Sequence, residues 1–196
     1  MGKQKYLKSI EELFKKSPVV SAKSIKMVVN KNKKVKQYTK QLIRNLILKG
    51  KIKRITKGFY TSKDNISLSI FCFKPSYLGL QDALSFHDLW EQETIPIIIS
   101  TRKIRTGIRK IMGGNVLIKM ISKKYFFGFD YHNDNGVYLP YSDIEKTFID
   151  IIYFKENLGK DVLNNIKEKI SIKKLKLYLK IYPKKFRSMV LFRLNH

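Results

Sequence analysis

The sequence predicts an α+β protein: an N-terminal winged helix-turn-helix, then a mixed α/β domain that ends in a basic helical segment. Two observations carry that prediction. Between Ser21 and Tyr60 a short helix, a turn, a more basic helix and a glycine-tipped hairpin follow one another in the order a winged helix requires. Charge then divides the chain in three: residues 1–63 hold 19 Lys and Arg against two Glu, 64–159 hold 11 against 11 acidic residues, and 160–196 hold 11 against two. The net charge of +26 therefore sits on two basic surfaces separated by a neutral body, which implies two polyanionic partners or one long one. The expected domains are 1–63 and 64–196, the second built from a neutral body at 64–159 and basic helices at 160–196.

The first helix, about Lys3 to Lys16, places Tyr6, Leu7, Ile10, Leu13 and Phe14 on one stripe, and Ser17-Pro18 ends it. Ser21 suits the N-cap of the second helix, since its hydroxyl can accept from a first-turn amide that has no helical partner. Ile25, Val28 and Val29 face inward there, and Asn30 and Asn32 break the helix. In the third helix, Lys33 to Lys49, the residues Val35, Tyr38, Leu42, Ile43 and Leu46 recur at three- and four-residue steps and make one buried stripe. Its opposite face carries Lys33, Lys36, Gln37, Lys40, Gln41 and Arg44, residue types that reach phosphates and base edges. A helix about 10–12 Å across fits the major groove of B-DNA, ~12 Å wide, so this face reads as a recognition helix for double-stranded DNA. The hairpin has β-branched residues in Lys51 to Ile55, a turn at Thr56-Lys57-Gly58 and a return through Phe59-Tyr60-Thr61. Its Lys53, Arg54 and Lys57 are expected beside the helix on the sugar-phosphate backbone, where contacts position a protein without reading sequence. The plainer reading, a solvated face on a helical hairpin, leaves the joint order of stripe, basic face and glycine tip unexplained.

Beyond Lys63-Asp64-Asn65 the composition changes. Ile66 to Phe73 is expected as a short helix, Gly79 to Trp90 as an amphipathic helix with Leu80, Ala83, Leu84, His87 and Leu89 inward, and Ile95 to Thr101 as a buried strand. Residues 102–114, with Arg102, Lys103, Arg105, Arg109 and Lys110, read as a basic loop or short helix ending at Gly113-Gly114. Strands are expected at Val116 to Ile121, Tyr125 to Phe129 and Val137 to Pro140, with Asp130 to Gly136 as the turn between the last two. Ser142-Asp143-Ile144-Glu145 has the pattern of a capping box ahead of a helix to about Phe154. Two or three lysine-rich helices follow, near Lys160 to Lys169, Ile172 to Tyr182 and Lys184 to Asn195, with Pro183 separating the last pair.

In this order the chain resembles the antitoxin component of AbiE-type abortive-infection systems. The resemblance rests on the hairpin ending Lys57-Gly58-Phe59-Tyr60, the segment Tyr77 to Leu89 with its Ala83-Leu84 and His87-x-Leu89, the strand Ile97 to Thr101, and Tyr141 to Tyr153. Gly79, Asp82 and Asp88 depart from that family's usual serine, serine and glycine. The resemblance implies that the N-terminal domain binds operator DNA with inverted repeats and represses its own operon. It also implies that the C-terminal domain neutralises a cognate toxin of nucleotidyltransferase fold, by contact or through the toxin's RNA target. Lys173, Lys174, Lys176, Lys180, Lys184, Lys185 and Arg187 are the positions that would supply a basic antitoxic surface. The alternatives are a winged-helix regulator with no toxin, and a metal-dependent nuclease acting through Asp130, Asp134 and Glu145.

Catalytic patterns are scarce. No Asp or Glu has Lys or Gln two positions on, the spacing that places a carboxylate and a base on one strand face at a nuclease metal. Asp130, His132, Asp134 and Asn135 read as turn chemistry, His87 as a hydrogen-bonded core histidine, and Cys72, the only cysteine, as a packed thiol. Ser85 and Ser100 have no identifiable histidine partner, and no Gly-rich phosphate loop is present. Most of the aromatic residues lie in apolar runs, so core packing accounts for them better than base stacking. No catalytic residue, metal or cofactor is expected. Without a membrane span or the apolar core of a signal peptide, a soluble cytoplasmic protein is the expectation.

Overall fold

The computed structural model describes residues 5–29 and 36–195 and divides the chain into two compact units, 1–72 with 110–114, and 73–109 with 115–196. The fold is mixed α+β. Composition changes near Lys63, whereas the first compact unit continues to Cys72. Its extension is a 3-10 helix, Ile66–Cys72, in which Leu68, Ser69, Ile70 and Cys72 are buried. Burial pushes the Cys72 thiol up to about 11, so it stays protonated at neutral pH as a core side chain does.

The N-terminal unit begins with α1 (Lys5–Lys16), the two-residue strand β1 (Val20–Ser21), α2 (Ala22–Val29) and α3 (Lys36–Leu48). The hairpin β2 (Lys53–Thr56) and β3 (Phe59–Thr61) follows, and the strand order is β1-β3-β2. Ile10, Val20, Ile25, Val29, Leu42, Ile43, Leu46, Ile52 and Tyr60 form one core, with Tyr6, Leu7, Leu13, Phe14 and Tyr38 packed on it. The stripes expected on α1 and α3 therefore meet. Val35, Asn30, Asn32 and Lys33 lie outside the described residues. Ser21 Oγ accepts from the Ser24 amide at 3.0 Å, which is the expected cap. Gly58 has φ +85°, a conformation that favours glycine, and its carbonyl accepts from the Ala22 amide at 2.8 Å. That bond ties the start of α2 to the hairpin tip. The β1 pairing, Val20 opposite Tyr60, had no sequence signal, because two residues are too few to show alternation.

The second unit carries most of a six-stranded sheet in the order β6-β7-β5-β4-β9-β8. The strands are β4 (Ser76–Leu78), β5 (Ile97–Ser100), β6 (Gly107–Ile111), β7 (Gly114–Met120), β8 (Phe129–Asp134) and β9 (Val137–Ser142). The central strands β5 and β4 are buried along their length, and β4 pairs antiparallel with β5 and parallel with β9. Helices α4 (Gln81–Phe86), α5 (Ile144–Tyr153), α6 (Lys160–Lys169), α7 (Ile172–Leu179) and α8 (Lys184–Asn195) complete the fold. One apolar cluster joins Tyr77, Leu84 and Ile99 to Phe148 and Ile151 of α5 and to Leu175, Leu179 and Val190 of the last helices.

Five expectations are corrected. Residues 107–111 form an edge strand instead of a basic loop or helix; an edge strand bonds on one side only and tolerates the exposed Lys110, while the half-buried Arg109 lies over the Phe73 ring. Tyr125 to Phe129 is not a strand. Lys123–Tyr125 is a 3-10 turn, and Phe126 packs on Tyr77 while Phe127 packs on Tyr178. Gly128, at φ +71°, then bends the chain where a Cβ would come within 2.9 Å of Lys146 and Tyr178. β8 occupies most of the expected turn, which shrinks to Asn135-Gly136 with φ +50° and +76°. The helix expected from Gly79 to Trp90 is only α4, because Leu80 and Asp88 take φ +57° and +56° at either side of it. Lastly, the capping box is absent as such. Asp143 is the cap of α5, accepting from the Lys146 amide at 2.7 Å, Ser142 bonds Thr147, and Glu145 accepts from the Ser171 amide at 2.8 Å.

Candidate nucleic-acid interface

α3 is turned by its stripe so that Thr39, Leu42, Ile43 and Leu46 are buried and Lys40, Gln41, Arg44 and Asn45 are exposed. Lys40 and Arg44, one helical turn apart, line a groove of about 660 Å³ whose other wall is the hairpin, with Arg54, Lys57, Gly58 and Tyr60. The start of α2 closes one side through Ala22 and Lys26, and Thr39, Ile43, Ile47 and Leu48 complete the lining. Among the described residues no carboxylate lines it. The groove thus sets exposed cations around an apolar surface.

Four of the nine residues expected to meet DNA, Lys40, Arg44, Arg54 and Lys57, come together here. Lys33 lies outside the described residues, and Lys36 and Gln37 belong to α3 with their side chains outside them. Gln41 is exposed, and its Nε2 donates to Asn45 Oδ1 at 3.4 Å. Lys53 does not line the groove: its ammonium is 2.7 Å from Asp64. Neighbouring residues on a strand point to opposite sides, so Lys53 and Arg54 cannot both face the helix. Lys26 and the exposed Ile47 and Leu48 had not been expected. The sequence held one signal for the last two: three consecutive apolar residues, 46–48, cannot all share one helix face.

A second basic groove, about 460 Å³, lies along α7 between Ser171, Lys173, Lys174, Lys176, Leu177 and Lys180. Lys174 there is 3.1 Å from Asp143 and 3.2 Å from Glu145. Partial burial opposes its charge, but the Asp143 hydrogen bond and the two carboxylates outweigh that and raise it above the ordinary lysine value. Lys184, Lys185 and Arg187 are exposed on α8 and do not line this groove, and Arg187 Nε donates to the Tyr182 carbonyl at 2.8 Å.

The acidic candidates are held structurally. Asp130, His132 and Asp134 lie on β8, Asn135 Nδ2 donates to Asp134 at 2.9 Å, and the Gly136 amide donates to Asn133 at 2.8 Å. Glu145 is occupied by the Ser171 amide and Lys174. His87 is half-buried with Nε2 2.8 Å from the Ser142 carbonyl oxygen. Among the described residues no group of three or more His, Cys, Asp or Glu is placed to hold a metal, and no helix is long and apolar enough to cross a membrane.

Two acids, one fully buried and one half-buried, had been given no site role in the sequence. Asp150 lies fully buried beside Lys146, which is bonded to it, and accepts from Tyr77 Oη at 2.6 Å, while Lys146 Nζ also donates to Tyr77 at 3.0 Å. Burial pushes the Lys146 ammonium down, and the Asp150 carboxyl and Tyr77 hydroxyl up. Asp82 accepts from the Ile97 amide at 3.0 Å, and burial raises it to about 7 against that bond, with Asp134 adding to the rise.

No protein-family model matches this sequence, and no curated protein matches it. Its fold is similar to the crystal structure of the RV2827C protein from Mycobacterium tuberculosis, with a TM-score of 0.61 at 13% identity over 96% of this chain and 76% of that one.

Proposed function

We propose that this chain is a winged helix-turn-helix DNA-binding protein of the AbiE antitoxin type, which represses its own operon and neutralises a nucleotidyltransferase-like toxin. The observation that carries the DNA-binding reading is the groove in which Lys40 and Arg44 of α3 face Arg54 and Lys57 of the hairpin with no carboxylate in the lining. A helix presenting such a face reaches base edges, and the hairpin cations reach phosphates on the same duplex. The antitoxin part is supported by the ordered motifs described above and by the second basic groove on α7, where Lys173, Lys176 and Lys180 face outward. That groove would meet an acidic face of the toxin or the RNA on which the toxin acts. No bound metal or catalytic residue enters this function.

The test has two arms, both with the full chain. Binding to the DNA upstream of its gene is measured for the wild type, Lys40→Ala and Arg44→Ala; undiminished affinity in both variants would remove α3 as the recognition helix. The neighbouring gene is then induced alone and with each chain. Relief of growth arrest by wild type and Arg44→Ala alike is expected, since neutralisation is assigned to the other domain. Arrest that no chain relieves, or no arrest at all, rejects the antitoxin and leaves a regulator.

A further inference from the structure

We propose that Ile47 and Leu48, the exposed apolar end of α3, recognise thymine methyl groups in the major groove, next to the base edge met by Arg44. This specificity rests on the DNA-binding reading of the same groove.

Leu48 is 74% exposed and Ile47 37%, although Leu42, Ile43 and Leu46 of the same helix are at most 7% exposed. Both line the groove that holds Lys40 and Arg44. Residues 40, 44 and 48 are spaced by four and stand above one another on one helix face. At 1.5 Å per residue, Arg44 and Leu48 are about 6 Å apart along the axis, close to two base steps of about 3.4 Å. Five cations surround this apolar strip: Lys26, Lys40 and Arg44 on the helices, Arg54 and Lys57 on the hairpin.

The pattern is apolar surface between positive charges, and its complement is apolar surface between negative ones. Duplex DNA offers that complement where thymine C5 methyl groups project into a major groove bordered by two phosphate strands. An acidic amphipathic helix of a protein partner offers an apolar stripe between carboxylates. Two features favour DNA. Next to this strip α3 exposes the amides Gln41 and Asn45, the side-chain type that pairs with adenine, so one A·T pair can be met at both its adenine edge and its methyl. Arg44, in line with Leu48, is the type that bridges guanine O6 and N7. An acidic helix would pair Arg44 with a carboxylate, but it offers the two amides no adenine edge.

The experiment starts with duplexes enriched from a random pool by the full chain, followed by synthesis of the best duplex with each thymine in turn replaced by deoxyuridine. That change removes the methyl alone. At positions under α3, wild type should bind the deoxyuridine duplex about fourfold more weakly per contacted methyl, the factor that corresponds to about 0.8 kcal/mol per buried carbon. Leu48→Gln and Ile47→Gln should each lose the discrimination at the thymine its own side chain meets and bind that pair of duplexes equally. Leu48 is open enough that its replacement leaves the fold in place, so Leu48→Gln carries the test if Ile47→Gln does not fold. Equal binding of both duplexes by wild type overturns the thymine reading and leaves DNA binding standing, as does a Leu48→Gln chain that still discriminates between them. Failure to enrich any duplex overturns the DNA reading itself. If a Glu/Leu amphipathic helical peptide then binds wild type and not Leu48→Gln, the groove belongs to a protein partner.

Discussion

In the N-terminal unit Lys26, Lys40, Arg44 and Lys57 stand exposed around an apolar groove, whereas in the C-terminal unit Lys119, Lys146 and Lys174 are each bound to carboxylates. Both regions are rich in lysine and keep most of it exposed, but only the second also buries a lysine against a carboxylate. The cause is the supply of acids. Residues 1–72 contain Glu11, Glu12 and Asp64, of which Glu11 engages Lys51 and Asp64 engages Lys53 at the periphery. Residues 64–159 have as many acids as bases, and the fold sets their carboxylates against Lys174 of the basic tail on the surface and against Lys146 inside. A run of lysines in a sequence is therefore a surface only where the fold offers it no carboxylate.

Breaking the interior pair should give the largest effect. Asp150→Asn leaves an ammonium buried without its counter-charge, and urea unfolding should show a loss of about 3–5 kcal/mol. Replacing both partners, Lys146→Met with Asp150→Leu, should cost less than either change alone. Glu11→Ala, which frees the exposed Lys51, should leave the urea midpoint nearly unchanged. Equal losses from the interior and exposed changes would dissolve the contrast between the units.

Asp82 sharpens it from the acid side, as a carboxylate raised to about 7 chiefly by burial. Its folded value lies above the ordinary value of 3.8, so the folded chain binds the extra proton between those limits. That contribution is complete below about pH 4 and is lost as pH rises through about 7, on the order of 4 kcal/mol in all. Urea midpoints measured from pH 4 to 8 should fall for wild type and change less for Asp82→Asn, whose amide oxygen can still accept from Ile97. A wild-type midpoint that rises over this interval would contradict the burial of this carboxyl.

On DNA, Arg44→Ala should weaken binding by about 1–3 kcal/mol, while Lys53→Ala, already paired with Asp64 outside the groove, should change it by less than about 1 kcal/mol. Similar losses would mean that groove membership does not decide which cations act. The smallest effect is one of slope. Five groove cations predict that log affinity falls against log salt with a slope of about −4 to −5, below the −5 to −7 or so that six to eight basic residues would give. Arg44→Ala should lower the slope by about one and Lys174→Ala should leave it unchanged.

Much of the helical content was legible in the sequence. Lys160–Lys169 and Lys184–Asn195 end where residue pattern and Pro183 placed them, because local periodicity and a residue without an amide donor act over one or two turns. The same local signals failed where neighbours from elsewhere decided. Tyr125 to Phe129 has strand propensity, but Phe126 and Phe127 are drawn to Tyr77 and Tyr178, about fifty residues away in either direction. Gly79, taken only as a departure from a serine, lies where a Cβ would come within 2.5 Å of Ile99. Asp88, at φ +56°, occupies backbone that favours the glycine it departs from.

By itself the sequence determined the periodic helices, the glycine-tipped hairpin and the division of charge between two basic ends and a neutral middle. These depend on residues within a few turns of one another, or on counting. Only the tertiary structure decided which cations share a groove and which are neutralised. Lys53 and Arg54 are adjacent in sequence and diverge on a strand, whereas Tyr77 and Asp150 are 73 residues apart and share a hydrogen bond. Charge pairing falls off within a few ångströms, and distances that short between remote residues are set by how the whole chain packs.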